Sequence, residues 1–374
     1  MGNATRIKSV EAFQVGWRTD DPPGRRSAFV RITTDDGIVG YGEASPMIGG
    51  LHSLGVIQRD IAPGLVGKDA LDHVVLLDRA YHKCIKLGPE GAVTGALAAL
   101  DIAFWDIKGK LYGQPIYKLL GGAWRTEMPF YASIGGNANR TVAEVLKVVE
   151  GRWKKEKPAA IKIRWDGDRT TQDYDIPGDI AKAKAVRKLV GPDFPLAFDA
   201  NNLYSVGGAI RVGRALEELG FVWFEEPVQH YDVRGRGEVA RKLDITVSAA
   251  EQTYTLQALV DMINAGVRMV QPDIVKMGGI TGLMQCAAIC YAHGVELVPH
   301  QTQPTIGHAA NLHVLATIMH STKPAEYADP SDRMYVGFRS VPKPKGGKFV
   351  VPSGPGLGLE VNEEELKKRQ ISVS

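Results

Sequence analysis

PLAFD (195–199), FVWFE (221–225) and ITVSAAE (245–251) are three short runs that each end on a carboxylate, Asp199, Glu225 and Glu251, and 26 residues separate each carboxylate from the next. That interval accommodates one strand, one helix and their connections. Repetition of such parallel units brings the strand ends to one rim of a closed barrel. Three carboxylates converging on that rim suit a hard divalent cation with oxygen ligands. A single acidic residue near a strand end is commonly a helix cap or a surface charge. Equal spacing, repeated at the ends of three apolar runs, argues for a shared role instead.

Outward from this stretch the same alternation continues. Strand candidates are MPFYAS, AAIKI, PLAFD, VWFE, ITVSA, RMVQ, VELVP and AEYA, eight in all, with amphipathic helices expected at 141–153, 180–190, 206–219, 235–243, 255–265, 280–293 and 309–320. The reading is an α/β chain with a parallel barrel over residues 126–335. Residues 1–125 differ, with strands first (7–15, 27–33, 38–43) and helices after them (54–66, 70–85, 91–111), a segregated α+β pattern. Two Pro- and Gly-rich stretches there, 17–26 and 44–52, read as loops able to cover something. The Pro- and Gly-rich segment 336–374 is expected to pack back on the first domain.

Composition bounds the function. The chain has 374 residues, 44% hydrophobic and 23% charged, which favours two packed globular domains. A net charge of +3 gives no basis for a nucleic-acid partner. The longest apolar stretch, 91–107, is interrupted by Asp101 and Asp106 and falls short of a bilayer span, and the N-terminus lacks a secretory apolar segment, so no membrane is expected and the cytoplasm is the default location. Three cysteines cannot build a disulfide framework, and reduced, buried thiols are expected.

The count of strand ends runs on through Asp273, His300 and Glu326, at intervals of 22, 27 and 26 residues. Upstream, Lys162 and Arg164 lie two apart on the second strand and share a face. FEEP offers two carboxylates, Glu225 and Glu226; strand alternation separates their directions without identifying the inner one. An aspartate bonded to one ring nitrogen of His300 would fix its tautomer and raise the basicity of the other nitrogen, which prepares a general base. His73, His82, His293, His313 and His320 fall in helical patterns and read as surface or packing residues; His230 and His308 lie near the rim.

Together KIR, FDANN, FEEP, AEQ, QPDIVKMGGITG, VPHQ and EYA, with the N-terminal GYGEASP and the run ALAALDIAFWDIKGKLYGQPIYKLLGG, make the chain resemble the mandelate racemase subgroup of the enolase superfamily over nearly its whole length. The resemblance implies a (β/α)7β TIM-like barrel, an α+β capping domain completed by the C-terminal segment, and one Mg²⁺ per active site on Asp199, Glu225 and Glu251. It implies an Asp273–His300 dyad, with Glu326 as a carboxylate-contacting group acting in its protonated form. It also implies abstraction of the proton beside a carboxylate, the resulting dianion being stabilised by Mg²⁺, Lys162 and Glu326. Homo-oligomers are common among such relatives.

One position departs from the pattern. The subgroup's usual second-strand motif is Lys-x-Lys, whose second lysine is a base; here it is Arg164, protonated at any ordinary pH and better suited to grip a carboxylate or hydroxyl. Two-base racemisation loses one partner, leaving His300 to take the α-proton and then protonate a departing β-hydroxyl. The expected activity is therefore dehydration of a sugar acid, aldonate or aldarate, to a 2-keto-3-deoxy acid. A racemase, epimerase or cycloisomerase working through the same intermediate is the alternative. Asn201 and Lys276 near the rim are expected to contact the small carboxylate substrate, as are Trp17, Arg18 and His52 in the covering loops, with Arg25 and Arg26 as further basic residues there.

Overall fold

The computed structural model describes residues 5–18, 26–88, 90–328 and 332–372; Arg25 lies outside them. The capping domain is a four-stranded antiparallel sheet, β1 (Ile7–Gly16), β2 (Arg26–Thr34), β3 (Val39–Glu43) and a strand from the C-terminal segment (Gln370–Ser372), against which helices pack. Its helices are α1 (Leu51–Val56), α2 (Ala62–Leu65), α3 (His73–Cys84), α4 (Ala92–Leu111) and α5 (Ile116–Leu119). The glycines of VGYGE explain how closely α4 seats on β3. A Cβ on Gly42 would stand 1.8 Å from the Ala99 carbonyl oxygen, and one on Gly40 would stand 2.3 Å from that of Ala103. Helix α4 is buried along most of its length, including Asp101 and Asp106, the two residues that break its apolar run.

Asp101 joins the cap to the barrel, and Asp106 joins α4 to β3 and the C-terminal segment. The barrel strands are β4 (Glu127–Ile134), β5 (Ala160–Arg164), β6 (Leu196–Asp199), β7 (Trp223–Glu225), β8 (Thr246–Ala249), β9 (Met269–Val270), β10 (Glu296–Leu297) and β11 (Ala325–Tyr327). They alternate with α6 (Val142–Glu156), α7 (Ile176–Val190), α8 (Val206–Glu218), α9 (Val233–Lys242), α10 (Leu256–Ala265), α11 (Gly279–His293) and α12 (Ile306–Thr317), giving seven βα units and a final strand. Asp101 accepts hydrogen bonds from the backbone N–H and the hydroxyl of Thr281 at the start of α11. Asp106 accepts from Tyr41 of β3 and from Leu357 of the C-terminal segment. Glu43, at the end of β3, accepts from the Gly307 N–H at the start of α12. Each uses orphan N–H groups or a helix N-terminus as a docking point.

The parallel strands run in the order β10-β9-β8-β7-β6-β5-β4-β11. Among the described residues no backbone ladder joins β10 to β11. Side chains bridge that seam instead: the Gln301 N–H donates to Glu326 Oε2 (2.9 Å) and the Ser321 hydroxyl donates to the Leu297 carbonyl (2.6 Å). The segment after residue 336 serves both units. Strand β12 (Lys348–Val350) pairs with Glu127–Pro129 of β4, whereas α13 (Glu363–Arg369) leads into β13 (Gln370–Ser372), which pairs with β1. Cys84, Cys286 and Cys290 are buried and unpaired. No helix among the described residues is long and apolar enough to cross a membrane.

Candidate active site

Register places the acidic side chains. Arg164, Asp199, Glu225 and Ser248 pair across β5, β6, β7 and β8, so they stand at one height. Glu251 follows two residues after β8 ends. Oxygen atoms of Asp199, Glu225 and Glu251 all lie within 4.8 Å of one another, and all three side chains are buried. Below them Tyr131 and Trp223 meet edge to face, closing the barrel floor.

Such a cluster requires positive charge. Burial, and then repulsion from Glu225, raises the pKa of Asp199 well above the usual carboxylate range. Lys162 is wholly buried among the acids, its Nζ 2.5 Å from Glu225, 3.0 Å from Glu326 and 3.4 Å from Asp199. Burial alone would lower its pKa, but the carboxylates, Glu225 foremost, raise it instead. Asp199 Oδ2 is buried without a hydrogen-bond partner, although Oδ1 accepts from the Asn201 N–H. A carboxylate oxygen without a hydrogen bond, with only the Lys162 ammonium 3.4 Å away, beside two further carboxylates fits a hard divalent cation held by Asp199, Glu225 and Glu251. Gln271 and Trp223 both donate to Glu225 Oε2, while Lys162 donates to Oε1; the sequence pattern singles out neither Gln271 nor Trp223.

The Asp273–His300 contact is formed. His300 Nδ1 lies 2.9 Å from Asp273 Oδ2, and Nε2 lies 3.3 Å from Glu251 Oε2. Burial would depress this imidazole, but Glu251, Glu326 and Asp273 outweigh it and hold the pKa at about 9. Glu326 stands 3.0 Å from Lys162; burial would raise its pKa, yet Lys162 and then His300 pull it below the ordinary carboxylate range. Arg164 is turned by a neighbour the sequence did not flag: its Nε stands 2.8 and 2.9 Å from the two oxygens of Asp166.

A cavity of about 530 Å³ opens over the cluster, lined by His300, Asp273, Glu251, Arg164, Asn201 and Lys276 among others. Lys276 donates to the Glu251 carbonyl (2.9 Å), and the Asn201 side-chain oxygen accepts from the Asp166 N–H. From the cap, Ser45, Pro46 and Met47 line the cavity; Trp17, Arg18 and His52 do not. Trp17 instead donates to the Ser27 hydroxyl, and Arg18 and His52 are exposed. Of the two uncertain histidines, His230 lines the cavity and His308 packs against Phe349. Arg169 and Tyr254 also line it, from loops whose course the sequence pattern does not specify.

Residues 144–365 match the enolase C-terminal domain-like family, and residues 21–121 match the mandelate racemase/muconate lactonizing enzyme N-terminal domain. The chain belongs to the mandelate racemase/muconate lactonizing enzyme family of the enolase superfamily. Within this family it is similar to the arabinonate dehydratase of Saccharolobus solfataricus, at 33% identity over 90% of this chain and 89% of the relative. It is also similar to the D-galactarolactone cycloisomerase of Agrobacterium fabrum, at 30% identity over 96% of this chain and 98% of the relative. A mandelate racemase/muconate lactonizing protein from Paracoccus denitrificans, crystallised with magnesium, is 66% identical and superposes with a TM-score of 0.95, covering 99% of this chain and 100% of its own. The first two of these relatives are a dehydratase and a cycloisomerase of acid sugars.

Proposed function

We propose that the chain is a Mg²⁺-dependent dehydratase of a sugar acid, aldonate or aldarate, that forms a 2-keto-3-deoxy acid. One observation carries the reading: of the two histidines that line the cavity, His300 is the one whose imidazole an aspartate, Asp273, orients, while position 164 holds an arginine fixed by Asp166. Burial would lower the pKa of that guanidinium, but Asp166 raises it further, so it cannot accept a proton. Arg164 binds and His300 moves protons. Similarity to an arabinonate dehydratase supports the same reaction class.

In this reading the substrate carboxylate lies beside Lys162 and within the cavity's cationic lining. A cation on Glu251 would offset the charge that most raises the His300 pKa and so favour the neutral ring, whose Nε2 takes the proton from the carbon beside the carboxylate while Asp273 stabilises the imidazolium through Nδ1. The same imidazolium returns its proton to the β-hydroxyl, which leaves as water, and the resulting enol tautomerises to the keto acid. Asp199, Glu225 and Glu251 would hold Mg²⁺, which when bound supplies positive charge to offset the second negative charge developing on the substrate carboxylate. The 30% identity to a cycloisomerase favours a second reading, in which His300 protonates or deprotonates carbon without loss of water.

Incubation of the Mg²⁺-loaded protein with a library of aldonic and aldaric acids and their lactones, followed by semicarbazide detection of 2-keto acids and chromatography of the remaining products, separates the two. Keto-acid formation from one or a few members is expected. Lactone opening or isomerisation with no keto acid would overturn the dehydratase reading in favour of the cycloisomerase.

A further inference from the structure

We propose that Glu226, the second carboxylate of FEEP, is a positioning residue that holds the ligand Glu251 in place through the backbone of Ala250, with Arg236 as its counter-charge. The inference rests on Glu251 being a metal ligand. Glu226, just past the end of β7, is not among the residues that line the cavity, and it is fully buried. Its Oε1 accepts the Ala250 N–H at 2.9 Å, and its Oε2 accepts Arg236 Nη2 at 2.7 Å. Arg236, from α9 and equally buried, also donates to the carbonyls of Val228 (3.1 Å) and His230 (3.2 Å), so it fixes the loop that carries His230 to the cavity.

Ala250 is where this anchoring matters. It stands between the end of β8 and Glu251 with φ at 99°, a conformation an L-residue with a Cβ rarely adopts. Held there, the chain turns Glu251 toward Asp199 and Glu225; released, Ala250 would relax to negative φ and carry the next side chain away. The backbone of Glu226 ties in the neighbouring turn as well, because its carbonyl accepts from the Asn202 N–H at 2.7 Å, three residues beyond Asp199. Glu226 thus couples the turns that follow two metal-bearing strands to the one that precedes Glu251. A buried ion pair has an apolar substitute that is often equally stable, so the distinguishing role is geometric.

Mg²⁺ affinity of the purified full chain, measured by calorimetric titration, tests this, with the electron paramagnetic resonance spectrum of bound Mn²⁺ as a second readout. Glu226→Gln/Arg236→Met keeps an acceptor oxygen for Ala250 without a buried charge, and should bind Mg²⁺ within about threefold of the parent. Glu226→Leu/Arg236→Met removes that acceptor and should weaken binding roughly 10- to 100-fold, as outer contacts of metal ligands do, and alter the Mn²⁺ spectrum. Should the leucine pair fail to fold by circular dichroism, Glu226→Gln alone replaces it, because its amide cannot serve both Ala250 and Arg236; a tenfold loss is expected. A folded Glu226→Leu/Arg236→Met chain, or the Glu226→Gln chain that replaces it, that binds Mg²⁺ like the parent and leaves the Mn²⁺ spectrum unchanged would overturn the proposal, even with a lowered melting temperature. A parent chain that binds no Mg²⁺ would overturn the metal-site reading itself.

Discussion

Glu43→Gln should make the protein more stable at pH 8 than the parent while changing little at pH 4. Glu43 is 1% exposed, at the end of β3, and docks on the start of α12 through Gly307 and Thr305. Burial, only partly offset by those hydrogen bonds, pushes its pKa from 4.5 up to about 7. A carboxyl with a raised folded-state pKa contributes its full stability below the unfolded value, and that stability is lost as pH rises through the folded value. Over this window the loss is roughly 3 kcal/mol at about 1.4 kcal/mol per pH unit, an upper figure for a buried group. Glutamine can present one oxygen to Gly307 and carries no charge, so the penalty disappears. Urea unfolding followed by tryptophan fluorescence, in EDTA so that metal binding does not contribute, gives the stability difference between variant and parent from pH 4 to pH 8. That difference should grow by about 2–3 kcal/mol with its midpoint between 4.5 and 7. A difference independent of pH would refute the assignment of a neutral, buried Glu43.

Three further outcomes are expected. His300→Asn should abolish turnover while Mg²⁺ affinity by calorimetry stays within a few-fold, because the imidazole sits beside the acid cluster without belonging to it; an active variant would contradict single-base catalysis. Glu225→Gln should lower Mg²⁺ affinity by more than the roughly 10- to 100-fold typical of changes one layer further out, with the fold retained by circular dichroism. Gly42→Ala should cost about 3 kcal/mol or more, since the new Cβ would meet the Ala99 backbone and not a yielding side chain; thermal unfolding of the variant measures it.

The barrel was legible because its units have nearly constant length and each strand end carries a chemical marker. Asp199, Glu225, Asp273, His300 and Glu326 could be placed on one rim without coordinates. Helix boundaries were less readable. Helix α7 begins at Ile176, four residues before the expected start, because Asp175 caps the Gly178 N–H and Pro177 sits in the first turn, a start signal in the sequence that passes for a loop. The cap was legible in kind but not in reach. Ser45–Met47 line the cavity because Gln14 bonds the Gly49 carbonyl and Gly50 lies against Ala28, contacts between residues far apart in the chain. The same holds for Gln271 and Glu226, whose partners Glu225 and Ala250 lie far from them in the chain.

Backbone conformation around the metal-bearing strands shows why those partners matter. Asn201 (φ 47°), Asn202 (φ 67°), Glu226 (φ 41°) and Ala250 (φ 99°) all adopt left-handed backbone within three residues of Asp199, Glu225 or Glu251. Asparagine tolerates that region; glutamate and alanine pay about 1–2 kcal/mol each for it. Local propensity therefore disfavours the very turns that aim the carboxylates, and only contacts with neighbouring strands sustain them: Asn201 through Asp199 and Asp166, Asn202 and Ala250 through Glu226. A conflict between local preference and observed conformation, concentrated where three like charges are forced together, is the mark of a site built for a ligand and not for stability.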